Sequence, residues 1–140
     1  MTRYRIEVSL TLVLIAGGYA STNALREINF QQRDLPEVSA IEVSYQNKSR
    51  IRMCLLPEHW PNSAGAIADA EDKAFLVVGD KRFPMKSFNS GSCIHGCRTE
   101  VLPGKTLVTR IPYELFELPI GLRSEHEKRL EFAAMAFPCR

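Results

Sequence analysis

Long hydrophobic runs are missing from this chain. The longest apolar stretch, Val8 to Ala16, is interrupted by Ser9 and Thr11 and falls well short of the roughly 20 residues that span a bilayer. A strong charge of one sign is missing as well. The formal net charge is +2 over 140 residues, too little for the clustered basic surface that nucleic acid or an anionic membrane calls for. The sequence has no Gly-x-Ser-x-Gly elbow, no phosphate-binding glycine loop, no His-Glu-x-x-His and no Cys-x-x-Cys. Each of those patterns places a nucleophile, a phosphate or a metal by local geometry. Repeats, low-complexity tracts and long amphipathic helices are lacking too. The expectation is a protein with no cofactor, no nucleic-acid partner and no integral membrane segment in its mature form.

What is present begins at the N-terminus. Arg3 and Arg5 precede the apolar run, and small residues follow it in Gly18-Tyr19-Ala20 and Thr22-Asn23-Ala24. A basic head, a short apolar centre and small residues at the end form a secretory signal peptide, here residues 1–24. A first β-strand is the competing reading, because "YRIEVSLTLVLI" is rich in β-branched residues and carries Glu7. Residues 25–37, "LREINFQQRDLPE", read as a polar lead-in with one or two apolar anchors. Residues 38–140 then form one β domain of ordinary composition, the whole chain being 45% hydrophobic and 24% charged.

The chain contains Cys54, Cys93, Cys97 and Cys139. An even count in a small exported domain reads as two disulfides, with three possible connectivities. In "RIRMCLL" Cys54 alternates with Met53 and Leu55, and in "RLEFAAMAFPC" Cys139 alternates with the Leu130, Phe132, Ala134, Ala136 series. Both cysteines thus fall on the less apolar side of their strands and suit a bridge, leaving Cys93 with Cys97 across Gly96. The two crossed pairings remain open. Closing the long Cys54–Cys139 loop stabilises a fold by about 4 kcal/mol in the chain-entropy account. Cys93, His95 and Cys97 also alternate, so on an extended segment they could form a metal clip. Met53, Met85, His59 and His126 would be the candidate additional ligands.

The rest of the pattern is that of short strands. Ile41, Val43 and Tyr45 alternate with polar residues, "NKS" at 47–49 turns, and the strand around Cys54 returns as a hairpin partner. Asn47-Lys48-Ser49 also matches a glycosylation sequon. "AFLVVGDKRFPMKSF" reads as a second hairpin turned at Gly79-Asp80, its second arm marked as an edge by Pro84. Pro103-Gly104 turns between two further strands, "PYELFELP" makes a helical turn anchored by Tyr113 and Phe116, and Leu130 to Phe137 is the last strand. About seven such strands fit an all-β, two-sheet sandwich, an immunoglobulin-like topology among them. A small closed β-barrel is the runner-up.

The segment "LLPEHWPNSAG" holds the one Trp of the chain between Pro57 and Pro61. Trp is a frequent interface anchor, so His59 and Trp60, with Tyr113 and Phe116 in a second loop, are the candidate binding residues. The bland alternative is that Trp60 folds back to plug the sandwich. The functional expectation is an exported protein, periplasmic or secreted, that acts by contact with another protein. An inhibitor or immunity-type protein and an accessory subunit of an envelope complex are two concrete forms. A periplasmic metal-handling protein using Cys93, His95 and Cys97 is the alternative, and an enzyme without a sequence motif is third.

Overall fold

The computed structural model describes residues 24–87, 98–125 and 127–139. Residues 1–23, within the expected signal peptide, and Cys93, His95, Cys97 and His126 lie outside them, and with them the expected Cys93–Cys97 bridge and the metal clip.

Among the described residues the fold is all-β, with ten short strands and three single 3-10 turns. The strands are β1 (Arg26–Glu27), β2 (Gln31–Leu35), β3 (Ala40–Gln46), β4 (Met53–Leu55) and β5 (Phe75–Val78). They continue with β6 (Lys81–Pro84), β7 (Thr99–Val101), β8 (Thr106–Pro112), β9 (Lys128–Glu131) and β10 (Met135–Pro138). Every pair is antiparallel. Three sheets result, in the orders β1-β10-β4-β7, β2-β3-β8 and β6-β5-β9. None of them closes into a barrel.

The hairpin β5–β6 forms as the sequence predicts. Val78 faces Lys81, leaving Gly79-Asp80 as a two-residue turn, and Gly79 supplies the positive φ of 61° that such a turn needs at its first position. Strand β6, with Pro84, lies at the sheet edge. The 3-10 turn Tyr113–Leu115 also forms. Cys54 is bonded to Cys139 with Cα atoms 5.3 Å apart, ordinary spacing for a disulfide. Strand β10 lies beside β4 with Phe137 opposite Cys54, and the Cys139 N–H donates to the Arg52 carbonyl at 3.0 Å.

Four expectations are corrected. Strands β3 and β4 do not form a hairpin: β3 lies between β2 and β8, β4 between β10 and β7, and residues 47–52 cross from one sheet to the other. The lead-in is not merely a leader, since Gln31–Leu35 pairs with β3 along its whole length. The run from Leu130 to Phe137 is two strands, because the chain leaves the β5 sheet after Glu131 and enters the β4 sheet at Met135. Cys54 is not on a wetter face, because Met53, Cys54 and Leu55 are all buried in a central strand covered on both sides.

Small side chains let the long 57–74 segment pack against the sheets. Ala66, Ile67, Ala68, Ala70 and Ala74 are buried in a chain of turns rather than a helix. Gly65 is its closest approach. A Cβ there would stand 2.5 Å from the Arg110 carbonyl oxygen, and its φ is +84°, so the position admits glycine and little else.

Candidate functional site

The core has an aromatic end. Trp60 is 2% exposed and sits among three other rings: Phe30 at 6.3 Å edge-on, Tyr45 at 6.2 Å and Phe132 at 6.3 Å. Phe30 and Phe132 touch each other at 4.8 Å. These separations are typical of favourable aromatic pairs. The indole N–H donates to the Thr109 hydroxyl at 3.2 Å, satisfying the polar atom that burial would otherwise strand. The expected outward anchor is therefore an inward plug. The Pro57–Pro61 loop aims the ring at the sheets instead of at solvent, while Phe132 is only partly buried.

The second expected pair of anchors is also interior. Tyr113 and Phe116 are 0% and 1% exposed. The Tyr113 hydroxyl donates to one carboxylate oxygen of Asp34, and the other accepts the Lys128 backbone N–H at 2.9 Å. The buried Lys128 ammonium donates to the Glu125 carbonyl at 2.6 Å and lies 4.8 Å from the Tyr113 ring centre. Burial, then the hydrogen bond to the Asp34 carboxylate, pushes the Tyr113 phenol well above its ordinary pKa. It stays neutral and works as a donor rather than as a nucleophile. Two residues before Asp34, the Gln32 amide brackets Leu130, donating to its carbonyl at 3.1 Å and accepting from its N–H at 2.6 Å. These two β2 side chains take the place of a backbone ladder between β2 and β9.

Two of the candidate ligands described outside the 93–97 segment are buried. Met53 and Met85 belong to the apolar core. The Cys54 and Cys139 sulfurs lie within reach of the Glu100 carboxylate but are bonded to each other, which removes the thiolates a metal would need. His59 is half-buried beside a cavity of about 120 Å³.

Three Arg–Glu–Arg ladders cross the exposed faces, one on each sheet. Arg33 and Arg110 flank Glu42 at 3.0 and 3.2 Å, Arg82 and Arg129 flank Glu131 at 2.9 and 2.7 Å, and Arg52 and Arg98 flank Glu100 at 3.2 and 3.4 Å. The Arg110 hydrogen bond holds the Glu42 carboxyl below its usual range. Exposed pairs like these contribute little to stability.

A groove of about 500 Å³ lies over the aromatic end. Ile28, Phe30, Tyr45 and Met53 line it with apolar surface, and Asn29, Gln31, Gln46, Lys48 and Thr106 with polar groups. Lys48 is the one Lys, Arg, Asp, Glu or His among its described lining residues. Its wall at 47–49 is fixed by Asn47, which is fully buried. The Asn47 side-chain amide donates to the carbonyls of Ile51 and Val101, both at 2.8 Å, and its oxygen accepts from the Ser49 N–H and hydroxyl. The sequon nitrogen is thus committed to the fold. Sequence reasoning missed this groove. Ile28 and Phe30, two residues apart in an otherwise polar segment, were the available signal. Comparison with protein-family models, curated proteins and solved structures finds no match.

Proposed function

We propose that this is an exported binding protein that holds another protein through the groove over the aromatic end. The observation that carries the reading is the groove's make-up: apolar surface from Phe30, Tyr45 and Met53 with polar groups around it. That combination is characteristic of binding sites, where apolar area supplies affinity and a few polar groups fix orientation. The groove is formed by strand ends and by the hydrogen-bonded Asn47 turn, so little order has to be gained on binding. Export is supported by the Cys54–Cys139 disulfide, a bond that persists in oxidising compartments. The N-terminal pattern of Arg3, Arg5 and the Val8–Ala16 run adds to that. The expected location is periplasmic or secreted.

We read the three sheets as a two-layer sandwich. Support comes from the Gln32 and Asp34 side chains, which tie β2 edge-on to β9. They join the β2-β3-β8 and β6-β5-β9 sheets into one layer facing β1-β10-β4-β7.

A photo-crosslinking residue at position 31, in the groove, tests the binding site against the same residue at Ile120, which is 81% exposed and lies outside the groove lining. In the native host one protein should be captured from position 31 and not from position 120. Capture from both alike, or from 120 alone, would refute the groove as the contact site. N-terminal sequencing of the native protein should begin at Leu25 or Ser21; recovery of the full-length chain would refute export.

A further inference from the structure

Strand β3 outruns strand β2 at the groove. Their last paired residues are Gln31 and Ser44, whereas β3 continues to Gln46, opposite Thr106 of β8. Before Gln31 the chain turns away, and the Ile28 N–H donates at 2.9 Å to the carbonyl of Ala134, just before β10. In an antiparallel sheet, successive residues of a central strand bond alternately to its two neighbours. The Asn47 N–H donates to Lys105 and the Tyr113 N–H to Ser39, at 2.9 and 2.8 Å, so the odd-numbered residues of β3 face β8. The even-numbered ones face β2. Gln46 is even, and among the described residues no strand lies on its β2 side. Among the described residues its N–H and C=O have no backbone partner on that side, and Gln46 lines the groove at the level where β2 would have continued.

We infer that the groove takes an extended acidic peptide segment of the partner, which pairs with the free Gln46 edge and continues the line of β2. This rests on the binding reading above and names the chemistry of the ligand. Tyr45 is buried while Gln46 is exposed, so β3 alternates here between the apolar side and the outer side. A peptide strand beside it has the same alternation. Its residue opposite Gln46 lies outward, and the residues on either side of that one lie over Phe30, Tyr45 and Met53. Charge complementarity sets the sign of the ligand. Lys48 is the one formal charge among the described groove residues, and it forms no ion pair among the described residues, so the matching segment carries an Asp or Glu. Addition of a strand to an open edge, with pockets reading alternate side chains, is a known way to recognise peptides.

The test uses the full mature chain with its disulfide intact. A phage-displayed library of random heptapeptides is panned against it, and enriched peptides are synthesised. Enriched sequences should alternate apolar residues with an Asp or Glu. Their binding should shift the Gln46 backbone amide resonance and weaken about tenfold in Lys48→Glu, as loss of a rim charge pair predicts. N-methylation of the peptide residue opposite Gln46 should weaken it comparably. Val108→Thr, an exposed change outside the groove, serves as the neutral control. A library that yields nothing above background overturns the inference. So do peptides that bind Lys48→Glu equally well or leave the Gln46 amide unmoved. If position 31 still captures a protein partner after that, the groove remains the contact site and only the peptide mode falls. If position 31 captures nothing specific while peptides bind as described, the peptide mode stands and the protein-partner reading falls.

Discussion

The two ends of the core are held by different forces. At one end Phe30, Tyr45, Trp60 and Phe132 meet ring to ring, and the Trp60–Thr109 hydrogen bond is the polar link from the central ring. At the other end, Tyr113, Asp34, Lys128 and Gln32 form a hydrogen-bonded latch between β2 and β9. Ring packing depends on volume and tolerates small shifts of angle. A buried latch depends on every donor finding its acceptor, because one lost partner strands the other. The difference assigns the ends different roles. The aromatic end can carry a groove on its outer side without strain, whereas the latch fixes how two sheets meet.

Removing the central ring is the hardest test of this contrast. Trp60→Ala should destabilise the domain by about 5 kcal/mol, the upper part of the range for a buried aromatic, because a cavity and an unpaired Thr109 hydroxyl are both left behind. Phe132→Ala should cost clearly less, since that ring is only partly buried. Denaturant unfolding of both variants decides the order. The alternation pattern alone predicts the reverse order, so a larger loss for Phe132→Ala would show that the aromatic end is not organised around Trp60.

Next in size is the covalent tie beside the groove. Cys54 follows Met53, a groove residue, and its bond to Cys139 closes a separation of 85 residues. Replacing both cysteines with alanine should cost about 4 kcal/mol, with peptide mapping of the parent protein recovering Cys54 linked to Cys139. A loss below about 1 kcal/mol would mean that the β4–β10 pairing and its packing hold this sheet without the bond. Gly65→Ala comes third. The added methyl meets the Arg110 carbonyl and Pro112 in a left-handed backbone, so a loss of about 3 kcal/mol is expected, within the range for overpacking. Thermal unfolding of that variant shows whether the 57–74 segment is pressed against β8 as tightly as its geometry implies.

How much of this the sequence disclosed depended on where the deciding information lay. The β5–β6 hairpin was legible because Gly79-Asp80 sits between its arms and fixes both partners locally. The Cys54–Cys139 pairing was reached although its stated ground did not hold, since Cys54 lies in a strand buried throughout and Cys139 follows the end of β10. The partners of β3 and β4 were not legible, because alternation reports which side is apolar but not which strand lies alongside. Strand β2 was hidden for a related reason. Gln32 and Asp34 are polar because they bond the β9 backbone, a use that looks like solvation in the sequence. Trp60 was misjudged because two prolines stiffen a loop without saying which way its ring points. The groove depends on β2 stopping two residues short of the end of β3, a long-range register that no local motif encodes.

The smallest expected effect lies at the latch and brings a pH dependence with it. Tyr113→Phe removes the hydroxyl and strands one oxygen of Asp34, which should cost about 1 to 3 kcal/mol near neutral pH. In the folded protein the phenol is held above its ordinary range by burial and by the Asp34 carboxylate. In the unfolded chain it ionises near pH 10. Between those two values the folded state keeps a proton that the unfolded state has lost. This contribution to stability is therefore complete below about pH 10 and declines as the pH rises through the folded value. Unfolding measured from pH 8 to 11 should show a downward slope above pH 10 in the parent, and a shallower one in Tyr113→Phe. At the aromatic end, burial also raises the Tyr45 phenol, but with no carboxylate partner among the described residues, so Tyr45→Phe should change the slope less. Equal changes in slope from the two variants would mean that burial alone governs both phenols, and the contrast between a packed end and a latched end would lose its electrostatic half.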